Sequence, residues 1–154
     1  MKNLLKTLIC TAALVWGTTE VNAQSYKTGA GILVDAGDGT TFVGPHVKHF
    51  FSTHNALEGS VLFGGGATAV QALYQYNKAI PGAKGLAWYV GMGPAVIFGN
   101  NTTVFSIVPV VGLDLKITGA PLDLFFDWRP RAVFNSNNSD FLAGRFGIGA
   151  RFTF

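Results

Sequence analysis

The sequence predicts an all-β protein: an eight-stranded antiparallel up-and-down transmembrane β-barrel. Three observations support this fold. First, 49% of the 154 residues are hydrophobic and only 12% are charged, yet no apolar run after residue 20 is long enough for a membrane helix. Second, seven turn-rich points divide the chain into eight segments, along which apolar residues alternate with small or polar ones, the period of a β-strand. Third, the charges of these segments share one face.

Composition excludes several other classes of protein. Intrinsic disorder requires low hydrophobicity and high charge, which is the opposite of this composition. The chain has one Cys, so it cannot be a disulfide scaffold. Its net charge of +3 is small and scattered along the sequence, so nucleic-acid binding is not predicted.

Residues 1–23 are typical of a secretory signal peptide that is removed by cleavage. Lys2 and Lys6 form a basic start, residues 8–16 form a short apolar stretch, and a Val-Asn-Ala motif ends the segment, the three parts that such a peptide needs. We therefore predict export to the outer membrane of a Gram-negative bacterium, with residues 24–154 forming the integral outer-membrane barrel.

The eight predicted strands are bounded by turns rich in glycine, asparagine and proline. These turns lie at 37–39, 52–55, 64–66, 81–85, 99–101, 118–121 and 135–139. Each segment between them has about nine residues or more, enough for a tilted strand to cross a bilayer. In the last segment, Leu142, Phe146 and Phe152 are placed on the outer face, opposite Arg145 and Arg151.

Twelve charged residues fall on the polar face of the predicted strands, where glycine and alanine are also frequent. They are Lys27, Asp35, Lys48, Glu58, Asp114, Lys116, Asp123, Asp127, Arg129, Arg131, Arg145 and Arg151. An eight-stranded barrel has an interior that side chains just fill, so these residues are predicted to form a lumen charge network. We interpret the network as a structural plug of paired charges; the alternative is an ion or proton path lined by arginine.

Turn geometry predicts some of the pairs. The turn at 118–121 places Lys116 across from Asp123. The turn at 135–139 brings Arg131 near Arg145, so a carboxylate, Asp127 or Asp35, is expected to bridge them, because unpaired charges in a narrow lumen are costly.

Aromatic residues on the apolar face cluster toward the two predicted rims, as in the girdles of membrane barrels. One group is Tyr26, Phe51, Tyr76, Trp88, Phe152 and Phe154; the other is Phe63, Phe98, Phe105 and Phe134. We interpret them as membrane-interface residues in contact with outer-membrane lipid. The alternative is the aromatic core of a soluble barrel such as a lipocalin.

The C-terminal part of the chain carries a more specific resemblance. Residues 120–131 (APLDLFFDWRPR) and 144–154 (GRFGIGARFTF) resemble the closing hairpin of small outer-membrane β-barrel proteins, the short-looped kind of Bacteroidetes-type bacteria, and more distantly the OmpA/OmpX-type barrels. This resemblance implies the fold and the outer-membrane location. It also implies that Phe152 and Phe154 serve as the signal read by the barrel-assembly machinery during biogenesis.

No catalytic residue, cofactor or metal site is predicted. Barrels that modify lipid A place a His and a Ser together. Here His49 is predicted to face lipid, and Ser52 falls on the opposite face of the strand. His54 lies in a turn. His46 shares its face with Lys48 and with no second His, so it belongs to the charge network rather than to a metal centre.

The outer face has two less usual features. Prolines interrupt several strands, and small residues lie on the first, seventh and eighth strands. The residues concerned are Pro94, Pro109, Pro130, Ala30, Ala132, Gly144 and Ala150. The prolines are read as shaping the barrel; alternatively, the whole face docks a larger outer-membrane protein, because small residues allow close approach in lipid.

These features predict a structural protein or an accessory subunit of an outer-membrane assembly. A narrow channel or small-molecule-binding barrel is the second hypothesis, and a lipid-modifying enzyme is the third.

Overall fold

The computed structural model describes residues 26–154, so the predicted signal peptide lies outside the described residues. Ten strands form in this range. They are β1 (Thr28–Gly37), β2 (Thr40–Phe50), β3 (Asn55–Gly64), β4 (Ala67–Ala79), β5 (Leu86–Gly99), β6 (Thr102–Lys116), β7 (Leu122–Trp128), β8 (Arg131–Asn135), β9 (Asn138–Leu142) and β10 (Arg145–Thr153). Residues 26–154 contain no helix that is long and apolar enough to cross a membrane.

The ten strands form a closed barrel of eight strands, because two of the barrel strands are each interrupted once. Strands β1 to β6 pair with their neighbours in sequence, and β6 pairs next with β7 and β8. Strands β7 and β8 are two parts of the seventh barrel strand, and β9 and β10 are two parts of the eighth. The antiparallel pairing of β10 with β1, from Gly29–Thr153 to Gly37–Arg145, closes the barrel. This arrangement confirms the predicted fold class.

The two ends of the barrel differ. At one end, which we call the turn end, two-residue turns connect the two strands of each of four hairpins. Two of these turns, Asp38-Gly39 and Gly65-Gly66, have positive φ at both residues, as tight hairpin turns require. The other end, which we call the terminal end, contains Tyr26, Phe154 and the three longer connections.

Side chains alternate between the lumen and the exterior. Exposed large hydrophobic residues occur on all eight barrel strands, whereas the apolar core lies inside the barrel. One buried cluster is Leu33, Phe42, Leu62, Ala69 and Phe125, and the other is Leu73, Tyr89, Ala95, Val108 and Val110. An apolar exterior around a filled interior suits a barrel surrounded by lipid.

A β-bulge divides the last two barrel strands. The Arg129 N–H donates to the Arg145 carbonyl at 3.1 Å, and Arg131 lies opposite Leu142. Two residues, 143 and 144, therefore oppose Pro130, and a bulge of this kind reverses the parity of the residues beyond it. The prediction that Leu142 faces outward was wrong: it lies on the side of Arg131, and Phe141 faces outward with 56% of its surface exposed.

The bulge coincides with a pair of prolines. The register of β6, with Ile107 opposite Ala132 and Val111 opposite Trp128, places Pro109 opposite Pro130. Neither proline has an N–H to donate, so the ladder between these strands is interrupted there. Pro130 is also buried, so it adds no exposed surface to the predicted docking face.

The bulge has one side-chain contact that can be tested. The indole N–H of Trp128 donates to the carbonyl of Ala143 at 2.7 Å. We expect Trp128→Phe to lower the free energy of unfolding by about 1 kcal/mol, because this carbonyl loses its hydrogen bond. Urea unfolding of the refolded protein measures the change, and Trp88→Phe, the same change at an exposed tryptophan of β5, is the control. Equal losses in the two variants would contradict a specific role of this hydrogen bond.

Candidate functional site in the barrel lumen

Ten of the twelve charged residues predicted for the lumen are buried inside the barrel. They are Asp35, Lys48, Glu58, Asp114, Asp123, Asp127, Arg129, Arg131, Arg145 and Arg151. The other two lie at the terminal end: Lys27 precedes β1 and is exposed, and Lys116 is partly exposed at the end of β6. Lys116 lies opposite Asp123, but its ammonium donates to the carbonyls of Ile117 and Ala120 at 3.1 and 2.6 Å. The assignment of Lys27 to the lumen was therefore wrong, because it precedes β1 at the terminal end and is exposed.

The buried charges balance. Five are acids and five are bases, whereas the sequence assignment had seven bases. Equal numbers of buried acids and bases matter because each unpaired ion inside the barrel would cost on the order of several kcal/mol in lost hydration. The contacts divide the ten residues into three clusters.

The first, the Asp35 cluster, consists of Asp35, Arg131 and Arg145. Asp35 forms ion pairs with Arg131 at 2.9 Å and with Arg145 at 3.0 Å. It is therefore Asp35, of the two carboxylates considered, that bridges these arginines. Arg145 also donates to the carbonyls of Gly37 at 2.7 Å and Thr40 at 3.3 Å, so backbone oxygens near the turn end partly compensate its charge.

The second, the Arg129 cluster, consists of Glu58, Gln75, Tyr89, Asp127 and Arg129. The Arg129 guanidinium donates two hydrogen bonds to Asp127, at 2.6 and 2.5 Å, and a third to Glu58 at 3.3 Å. The Tyr89 hydroxyl donates to Asp127 at 2.5 Å, and the Gln75 amide donates to Glu58. Bidentate arginine–carboxylate pairs of this kind fix geometry as well as charge.

The third, the Arg151 cluster, consists of Tyr26, His46, Lys48, Asn77, Asp114, Asp123 and Arg151. Arg151 donates to Asp123 at 2.8 Å and also to Asp114. Lys48 donates to Asp114 at 2.5 Å and to Asn77 at 2.6 Å. The two cations also lie over aromatic rings, Arg151 at 4.2 Å from the Phe125 centroid and Lys48 at 4.3 Å from that of Tyr89, which adds to their stabilisation.

The network includes neutral partners that the sequence analysis did not assign. The alternation of side chains along the strands places Gln75, Asn77 and Tyr89 on the inner face. This alternation was the sequence signal that could have identified them as members of the network. Tyr26 was predicted to face the membrane, but its hydroxyl donates to Asp123 at 3.2 Å. Burial raises the pKa of Tyr26 above its ordinary value, so the phenol stays a neutral donor.

Two of these ion pairs cross the whole lumen. Lys48 on the second barrel strand meets Asp114 on the sixth, and Arg129 of the seventh meets Glu58 on the third. Four positions separate the strands in each case, so the partners project from opposite walls. Within residues 26–154, no group of three or more His, Cys, Asp or Glu side chains could hold a metal ion.

The predicted docking face is not one continuous area of small residues. Ala30 and Ala150 are diagonal neighbours across β1 and β10, whereas Gly144 lies in the bulge and Ala132 on adjoining β8. On β10, the exposed side chains of Phe146 and Ile148 separate these two groups. Pro94 is exposed on β5, and Pro109 is partly exposed on β6. Docking of a partner on this face stays a prediction.

The aromatic residues of the exterior lie near both ends. Phe63, Phe98, Phe105 and Phe134 are exposed toward the turn end, and Phe51, Tyr76, Trp88, Phe152 and Phe154 are exposed toward the terminal end. Phe152 and Phe154 are 65% and 74% exposed. Their recognition by the barrel-assembly machinery stays a prediction.

A closed antiparallel barrel with an apolar exterior is the architecture of transmembrane β-barrels. Two solved structures are similar to this chain. One is a de novo designed transmembrane β-barrel, with a TM-score of 0.64 and 14% identity over 87% of this chain and 100% of that chain. The other is the N-terminal β-barrel domain of Pseudomonas aeruginosa OprF, with a TM-score of 0.58 and 16% identity over 84% of this chain and 98% of that chain.

No protein-family model and no curated protein matches the sequence. The two structural similarities concern the fold alone. They support the resemblance to outer-membrane barrels that the closing hairpin indicates, and the Bacteroidetes-type source stays a prediction.

Proposed function

We propose that this chain is an integral outer-membrane β-barrel whose lumen is closed by paired side chains, so that it acts as a structural membrane protein rather than as a pore or an enzyme. The observation that carries the proposal is the set of ion pairs across the lumen, Lys48 with Asp114 and Arg129 with Glu58. An ion path needs a continuous space between opposite walls, and these pairs occupy it.

The energetics of the network support a plug. Ion pairs inside a low-dielectric interior are stable only when the partners satisfy one another's hydrogen bonds. Arg129 and Arg151 each contact two carboxylates, so a permeating ion would have to displace several charge-assisted bonds. The hydrated arginine-lined path that the sequence also allowed is therefore the weaker hypothesis.

Location in the outer membrane is part of the proposal. The signal-peptide pattern of residues 1–23 supports export, and the exposed Phe152 and Phe154 at the end of the last strand suit recognition by the barrel-assembly machinery. Because a stable transmembrane barrel stays folded in detergent until it is heated, we expect faster gel migration before boiling than after it. Mobility unchanged by boiling would contradict a stable barrel.

The plug predicts an absence of ion conductance. Purified, refolded protein in a planar lipid bilayer is expected to give no stable current steps, because Arg129 and Lys48 bridge opposite walls. A general porin reconstituted in the same bilayer serves as the positive control. Stable steps that Arg145→Ala or Arg151→Ala alter would overturn the plug and support the channel; steps that neither variant alters would overturn the plug but place the path elsewhere.

An accessory role beside a larger outer-membrane protein is a second proposal. It rests on Ala30 and Ala150, whose small side chains face outward as diagonal neighbours and allow close approach in lipid. Purification from native membranes in a gentle detergent tests it. Recovery of a second membrane protein that is lost when both residues are changed to Phe would support this role, and recovery of the monomer alone would contradict it.

A further inference from the structure

We infer that the lumen contains a binding site for ordered water between His46, Ser60 and Gln71. These side chains are 1%, 5% and 3% exposed. Four of their polar atoms have no hydrogen-bond partner among the described residues: His46 Nδ1, Ser60 Oγ, and both the nitrogen and the oxygen of the Gln71 amide. Among residues 26–154, no other part of the lumen brings together so many unpaired atoms on adjoining strands.

The three residues form one row on the inner wall. His46 lies directly opposite Ser60 across β2 and β3, and Ser60 lies directly opposite Gln71 across β3 and β4. The side chains of directly opposite residues start about 5 Å apart and project from the same face. A small molecule above Ser60 can therefore contact all three side chains.

The hydrogen-bonding state of His46 follows from its neighbours. Its Nε2 lies 2.9 Å from the Arg151 guanidinium, which can only donate, so Nε2 must accept. The ring is stacked on Phe125 with 4.9 Å between centroids, which fixes its orientation. Its proton then lies on Nδ1, 3.6 Å from Glu58, beyond hydrogen-bond distance, so the Nδ1–H needs another acceptor.

The row requires a small, neutral ligand that both donates and accepts. His46 offers a donor, Gln71 offers donors and an acceptor, and Ser60 offers both functions. None of the three carries a charge that would call for a counter-ion, since neutral His46 is the form that accepts from Arg151. Water meets this requirement, and buried water typically makes about three hydrogen bonds to groups of this kind.

A crystal structure at a resolution that reveals ordered water tests the site directly. We expect density within hydrogen-bond distance of at least two of the three side chains in the unaltered protein, and its loss in the Ser60→Ala, Gln71→Leu double variant. A wild-type lumen without such density would overturn the inference.

Stability provides a second test that does not need crystals. If the Gln71 amide were dry and unpaired, Gln71→Leu would remove a buried polar group that has no partner, and the urea midpoint would rise. With water bound, we expect a midpoint that is unchanged or lower, so a higher midpoint overturns the site. Gln75→Leu, on the same strand and face, is the matched control: the Gln75 amide donates to Glu58, and its loss should lower the midpoint.

Discussion

Gly44→Ala is expected to lower the free energy of unfolding by about 3 kcal/mol, a large effect for the addition of one methyl group. A Cβ atom at Gly44 would lie 2.0 Å from the carbonyl oxygen of Val61 on β3. The obstacle is backbone rather than a flexible side chain, so β2 and β3 would have to separate. The loss is measured by urea unfolding of the refolded protein. The folded fraction at each urea concentration is read from the gel mobility of samples that are not boiled.

The matched control is Gly59→Ala on the adjacent strand. A Cβ at Gly59 would meet no atom of the described part of the chain within 4 Å. Gly59 lies opposite Val47, which is three residues from Gly44. We expect a change of no more than about 0.5 kcal/mol, as for an unconstrained surface position. Similar losses in both variants would show that glycine content, and not the close approach at Gly44, limits stability.

The same close approach recurs around the barrel. A Cβ at Gly31 would lie 1.8 Å from the Ala150 carbonyl oxygen, and one at Gly93 would lie 1.9 Å from that of Ala72. Strands of a small closed barrel must bend sharply, and glycine at the bends lets neighbouring backbones approach. The sequence analysis notes that glycine is frequent on the polar face; the geometry adds that several of these glycines are needed by the sheet itself.

The sequence predicted the barrel because its signal is local. Alternation with period two places Phe146 outside and Arg145 inside without any knowledge of the partner strand. The bulge at Pro130 could not be predicted in the same way, because it depends on how two strands align. Its ingredients, Pro130 and Gly144, were noted on the outer face, but only the register shows that two residues oppose one.

The lumen was predictable in composition and less so in its contacts. Parity alone places Asp35 and Asp127 inside, but it does not show which of them reaches Arg131. The choice of partner depends on side-chain length and on the position of each residue along the barrel axis. Parity also fails beyond the ends of strands, which is why Lys27 is exposed and why Tyr26 turns inward to Asp123.

Asp35→Asn is expected to cost about 3–5 kcal/mol, because it removes the carboxylate that Arg131 and Arg145 share and leaves buried charge uncompensated. The substitution keeps the size of the side chain, so the loss reports charge rather than packing. Urea unfolding measures it. Asp140→Asn is the control, since Asp140 is exposed on β9 and its carboxylate, among residues 26–154, accepts only from the neighbouring N–H of Phe141 at 2.9 Å.

A double variant separates charge balance from general damage to the cluster. Arg131→Gln added to Asp35→Asn removes one buried positive charge together with the negative one, and leaves Arg145 with its bonds to the carbonyls of Gly37 and Thr40. If Asp35 acts by compensating these arginines, the double variant loses less stability than the sum of the two single variants. Additive losses would contradict this, because they would mean that each side chain stabilises the barrel independently. If the buried charges stabilise the barrel by compensating one another, the stability losses of these variants must therefore be non-additive, because two arginines depend on one carboxylate.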